Sequence, residues 1–166
     1  VDHGAGIIQM GKSNARFPID ESGWVKAALL YAESKGVLIV MQVVDLAYNL
    51  GDKPCYPNRY IGKSETLNNM NTVAASSQAG NPLLDANYSN VELDLFAPGG
   101  DVISLYTGNT VRSFSSSSMA ASVVTGIAAL IKSHYPKING AQIRQVLLET
   151  VTSRGGKAGE KNIMLI

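Results

Sequence analysis

A chain of 166 residues falls within the span of one domain, and 45% hydrophobic with 16% charged residues describes a chain that packs a core, away from the composition of disordered segments. The net charge is +1 with Lys and Arg scattered along the chain, which leaves no electrostatic footprint for nucleic acid or a membrane surface.

Taken in chain order, Asp20 to Lys35 carries an apolar stripe at Val25, Ala28, Leu29 and Ala32, with capping candidates Asp20 and Ser22 before it and Gly36 after it. This predicts an amphipathic helix. The continuous run Val37-Leu38-Ile39-Val40-Met41 reads as a strand buried on both faces of a parallel sheet, so the class is α/β. From Ala47 to Leu67 no period is sustained, and a long surface excursion is expected. Strand candidates recur at Asn71 to Ala75, Glu92 to Ala97 and Val102 to Tyr106, with Pro98-Gly99-Gly100 as a turn, and are expected to extend the sheet. Met119 to Ile131 holds no charge and reads as a helix buried on nearly every side, too short to span a membrane. Asn139 with Gln142 three residues on forms a capping-box signature for a last helix whose inward stripe is Ile143, Val146 and Leu147, ending at Gly155-Gly156.

Cys55 is the single cysteine, which excludes an intrachain disulfide, and the two histidines, His3 and His134, lie at opposite ends of the chain with no metal-ligand spacing around them. No basic segment followed by an apolar run opens the chain. The Gly4-x-Gly6 pair raises a nucleotide-binding domain as an alternative. Gln9 stands where a third glycine is needed, and no strand precedes the first.

The serine cluster needs its own explanation. Phe114-Ser115-Ser116-Ser117-Ser118-Met119-Ala120-Ala121-Ser122 resembles the nucleophile motif of subtilisin-like serine proteases, Ser-Gly-Thr-Ser-Met-Ala-Ala-Pro, and the match places the nucleophile at Ser118. A serine hydroxyl is a weak nucleophile unless held beside a base and near donors for an oxyanion, and a helix N-terminus supplies free amides. Further segments resemble the same family in order: Tyr31 to Val40 its helix and strand before the oxyanion-hole asparagine, Thr72 to Ser76 its Thr-Val-Ala-Ala-Ser strand, Asn87-Tyr88-Ser89 its Asn-Tyr-Ser turn, and Leu95 to Gly99 its Leu-Phe-Ala-Pro-Gly segment. After the nucleophile, Gly126 to Leu130 and Ala141 to Arg144 are similar to its helix core and closing helix.

The resemblance implies a parallel-sheet subtilisin-like sandwich over residues 1–166, with 1–19 matching poorly and the N-terminal strands and part of the active site absent. It assigns the oxyanion-hole position to Asp45, where the family has asparagine, and substrate binding to Val43 and Val44. An ionised carboxylate there opposes the developing charge, whereas losing one such donor costs about 10² to 10³ in rate; capping of the following turn is the alternative reading of Asp45. The motif glycine is Ser116 and the motif proline Ser122. The family's Asp-Thr-Gly segment has no match, and His3-Gly4-Ala5-Gly6-Ile7-Ile8 resembles its catalytic-histidine motif with three residues deleted.

The function implied is peptide-bond hydrolysis through an acyl-enzyme at Ser118, on peptide or protein substrates, with the base and its orienting aspartate supplied from a missing N-terminal half. A catalytically dead scaffold that binds a peptide or protein partner is the alternative. Calcium is implied by the resemblance alone, as is an extracellular or cell-envelope location.

Overall fold

The computed structural model describes residues 1–11, 23–60, 66–89, 91–154 and 163–165, so Asp20, Ser22 and the Gly155-Gly156 pair lie outside the described residues. A short strand β1 (Ile7–Met10) precedes helix α1 (Gly23–Ser34) and strand β2 (Leu38–Gln42). Strands β3 (Met70–Ser76) and β4 (Leu95–Pro98) follow, then the pair β5 (Val102–Tyr106) and β6 (Thr110–Phe114). Helices α2 (Ser117–His134) and α3 (Gly140–Thr150) lead to the short strands β7 (Thr152–Arg154) and β8 (Ile163–Leu165).

The main sheet has the order β1-β2-β3-β4-β8-β7, parallel from β1 through β8, with β7 antiparallel at the far edge. Its strands are apolar on both faces because both faces are covered. On one side Leu38, Val40, Val73, Ala75, Leu95 and Ala97 meet α2 and α3; on the other Ile39, Met41 and Met70 meet Leu29 and Ala32 of α1. The alternation along β2 is that of a pleated strand, and the result is a three-layer α/β/α arrangement.

Helix α1 stops where glycine allows it to. Gly36 takes φ +68°, and the Val37 amide reaches back to the Ala32 carbonyl at 3.0 Å, closing the helix end and turning the chain into β2. Asn139 and Gln142 form the capping box anticipated for α3, each side chain accepting from the other's backbone amide at 2.9 Å.

Three expectations are corrected. Val102 to Tyr106 does not extend the main sheet: among the described residues β5 pairs only with β6, in a separate antiparallel ribbon that the turn after β4 carries off the sheet. Helix α2 is not buried all round; Ala120, Ala121, Val124 and Ala128 face the sheet, while Ser122, Gly126, Ala129 and Leu130 are exposed. Helix α3 ends at Thr150, with Val151 as cap and β7 directly after it, before any glycine is reached. Gly4 and Gly6 lead into strand β1 and do not open a helix, which is not the context of a nucleotide-binding glycine turn.

Candidate active site

Helix α2 runs antiparallel to the strands of the main sheet. Its first turn therefore sits at their C-terminal ends, the position where open parallel sheets place their ligands. Ser116 is the N-cap, with an extended backbone (φ −172°, ψ 162°) that any residue adopts, so replacing the motif glycine strains nothing. The close approach lies one step away. A Cβ on Gly99 would stand 2.6 Å from the Ser116 carbonyl oxygen, and the Ser116 amide donates to the Gly99 carbonyl at 2.9 Å.

Ser118 is the second residue of α2 and is half-buried. Its hydroxyl lies 2.8 Å from the Ser116 hydroxyl. Ser122, one turn on, donates to the Ser118 carbonyl at 3.0 Å and accepts from Gln9 Nε2 of β1 at 2.8 Å, fastening the helix to the edge strand where the family's proline makes no such bond.

Asp45 comes to the same place, three residues past the end of β2. Its carboxylate accepts from the Ser117 amide at 2.9 Å and, through the other oxygen, from the Ser117 hydroxyl. Ser117 is fully buried and its hydroxyl in turn accepts from the Ala75 amide near the end of β3 at 3.0 Å. The carboxylate thus works as an acceptor at the head of α2, where negative charge is favoured by the exposed helix amides. It does not cap the turn that follows it. That turn is held by buried Asn87, whose side-chain oxygen accepts from the Leu46 and Tyr48 amides, each at 3.0 Å.

The structure does not bring His3 to Ser118. Gly6, three residues after it, lies against Lys132, where a Cβ would stand 3.4 Å from Lys132 Cε; that is roughly 14 residues along α2 from Ser118, or about 21 Å. His134 sits at the far end of the same helix, edge-on to Tyr135 with ring centroids 4.7 Å apart. Among the described residues no imidazole contacts the Ser118 hydroxyl. Val43 is 2% exposed and packs with Leu50, Cys55, Ala74, Ala86 and Phe96, so its side chain is closed to a substrate, while Val44 is half-buried against the same cluster. Burial in that cluster pushes the Cys55 thiol above its usual range, with the neighbouring Val44 backbone and Asn87 opposing the shift. Burial therefore disfavours the thiolate, the reactive form. Among the described residues no three His, Cys, Asp or Glu side chains converge as metal ligands, so no step is assigned to calcium.

Sequence reasoning did not single out Ser117 or Asn87 as parts of the site. The signal for the first was available: Ser117 occupies the threonine position of the motif, a hydroxyl directly before Ser118. Asn87 carries no comparable signal, because its bonds reach backbone amides some forty positions away.

Comparison with known proteins bears on this geometry. Residues 7–164 match the peptidase S8 subtilase family. Over 135 residues the chain is 38% identical to a thermostable alkaline protease of Halalkalibacterium halodurans, covering 81% of this chain and 34% of that protein. It is 36% identical to subtilisin BL of Lederbergia lenta, covering 81% of this chain and 46% of that one. Among solved structures, the prenylagaramide maturation protease PagA superposes with a TM-score of 0.81 at 20% identity over 96% of this chain and 57% of its own. The chain spans about half or less of the length of these curated relatives.

Proposed function

Because the chain belongs to the subtilase family of serine endopeptidases, we propose that it forms the nucleophile-bearing part of a peptidase that cleaves peptide or protein substrates through an acyl-enzyme on Ser118. The observation that carries this reading is the seat of Ser118 in the first turn of α2, at the C-terminal ends of parallel strands. There the hydroxyl is positioned to attack a peptide carbonyl, and the Ser118 amide, one of the helix amides without an intrahelical partner, points at the forming oxyanion. An imidazole outside this chain takes the hydroxyl proton and returns it to the leaving amine. The whole 1–166 segment is then one partial peptidase domain, with 1–19 its least similar stretch.

The surface of the chain supports a missing half. Among the described residues β1 ends the main sheet with an unpaired edge, α2 leaves Leu130 70% exposed, and the β5–β6 ribbon turns Ile103, Leu105 and Val111 outward on one face. An open edge beside uncovered aliphatic surface is what a further layer of the same domain would cover. Subtilases generally bind calcium; for this protein the ion stays a family-based expectation. No helix among the described residues is long and apolar enough to cross a membrane, and action outside the cell or in its envelope is part of the proposal.

A non-catalytic scaffold that binds a peptide or partner protein is the second reading, favoured by the Asp45 carboxylate at the place of an amide donor. Casein hydrolysis separates the two. The chain alone is expected to be inactive; refolded with a polypeptide carrying the absent strands and an Asp-x-Gly and a His-Gly-Thr segment, it is expected to cleave casein, and Ser118→Ala abolishes the cleavage. Absence of cleavage from the completed, folded protein would favour the scaffold.

A further inference from the structure

We infer that Ser117 is the positioning residue of the nucleophile turn and that the Asp45 carboxylate is its fixed anchor, so the place from which an amide would donate to an oxyanion is occupied by an acceptor built into the chain. The functional meaning rests on Ser118 being the nucleophile; the geometry does not. Ser117 has no exposed surface, and three hydrogen bonds converge on it from two strand ends. Its amide and hydroxyl both donate to Asp45 past the end of β2, and its hydroxyl accepts from the Ala75 amide of β3. Asp45 is fixed in turn by its bridge to Ala86, next to Asn87, which ties the 46–48 turn. One buried hydroxyl therefore joins β2, β3 and α2 at the residue before the nucleophile.

Two consequences follow. Rotation of the first turn of α2 is restrained, because moving Ser117 breaks a charge-assisted pair and strips a buried hydroxyl of its partners. A substrate carbonyl approaching Ser118 meets a carboxylate already satisfied by Ser117, which holds it in place as an acceptor and leaves the helix amides as the available donors. Asp45 thus fixes the nucleophile while opposing the charge that its reaction develops.

The clamp is testable on the chain as it stands. A through-hydrogen-bond coupling between the Ser117 amide nitrogen and the Asp45 side-chain carboxyl carbon is expected in nuclear magnetic resonance spectra of the unsubstituted protein. Its absence would overturn the inference even if every variant fails to fold. Ser117→Ala and Asp45→Ala should each lower the folded-to-unfolded ratio about tenfold or more, and the double variant should be little worse than the more severe single one. Ser117→Thr, which keeps the hydroxyl, should restore the parent ratio and the parent exchange rates of the Ser118 and Met119 amides, which Ser117→Ala accelerates. Additive losses, or equal effects of threonine and alanine, contradict the clamp. Labelling of Ser118 by a fluorophosphonate in the completed protein tests the nucleophile separately: a clamp without labelling leaves Ser117 a structural anchor and rejects the peptidase reading, whereas labelling without the coupling rejects the clamp alone.

Discussion

Adding one methyl group at Gly99 and at Gly126 should move stability in opposite directions, and the structure sets both magnitudes. At Gly99 the new Cβ would stand 2.6 Å from the Ser116 carbonyl oxygen, 2.8 Å from Ala75 Cβ and 3.0 Å from Ala120 Cβ. None of these is the tip of a flexible side chain, so relief requires backbone movement. The Ser116 oxygen also accepts from the Met119 and Ala120 amides at 3.2 and 3.3 Å, so displacing it loosens the first turn of α2. Overpacking commonly costs 1–3 kcal/mol, and with two helix bonds disturbed Gly99→Ala should lose about 3 kcal/mol or more. Gly126 lies on the exposed face of the same helix, and its Cβ would meet nothing within 4 Å. Gly126→Ala should therefore gain about 0.8–1 kcal/mol from helix propensity. Urea unfolding followed by circular dichroism reads both, since a change in midpoint at constant slope reports stability alone. Losses within about 0.5 kcal/mol of each other at the two sites would refute the close approach at Gly99, and with it the placement of the nucleophile turn.

Other perturbations test the surrounding frame. Asp94, its side chain 6% exposed, receives Arg144 at 2.6 Å, Arg59 at 3.3 Å and the Thr72 amide at 2.9 Å; Asp94→Ala takes the shared carboxylate from two largely buried guanidinium groups, which among the described residues keep only their hydrogen bonds to Met70, Tyr60 and Val91, and should cost about 3 kcal/mol by urea unfolding. Asn71 is fully buried in β3 with both side-chain amide atoms unpartnered among the described residues, so Asn71→Leu should raise stability by about 1–3 kcal/mol, read as a higher thermal midpoint. Burial raises the Glu92 carboxyl above its ordinary 4.5, with the Arg59 guanidinium opposing the shift. The stability this group contributes is present below its unfolded pKa and lost as pH rises through the folded one. Glu92→Gln should accordingly be more stable than the parent at neutral pH, with the advantage shrinking in acid.

Legibility in the sequence followed locality. β2, β3 and the capping box of α3 were readable because each is specified by neighbouring residues: a β-branched run, a second apolar run, and Asn139 with Gln142. β1, β7 and β8 were not, since four- and three-residue segments such as Thr152–Arg154 carry no period and become strands only through their partners, and the exposed β6 becomes one only by pairing with β5. Composition misjudged α2: a helix without charge in its middle reads as buried all round, yet small residues such as Gly126 and Ala129 are apolar enough to give that impression from an exposed face. The seat of Ser118 in the first turn of α2 was legible because a motif places it beside a helix start. The role of Asp45 was not, because both readings open to it concerned donation to an oxyanion or closure of its own turn, and its partner is Ser117, 72 positions away.

The central claim is that Ser118 is a seated nucleophile awaiting an imidazole. Reaction with a labelled fluorophosphonate, followed by peptide mapping, tests it most directly, because only an activated serine reacts. The chain alone should remain unlabelled at Ser118, and the same chain completed by the half that carries histidine and aspartate should be labelled there, with no labelling after Ser118→Ala. Labelling of the isolated chain at Ser118, or labelling of the completed protein at any other serine, would contradict the account.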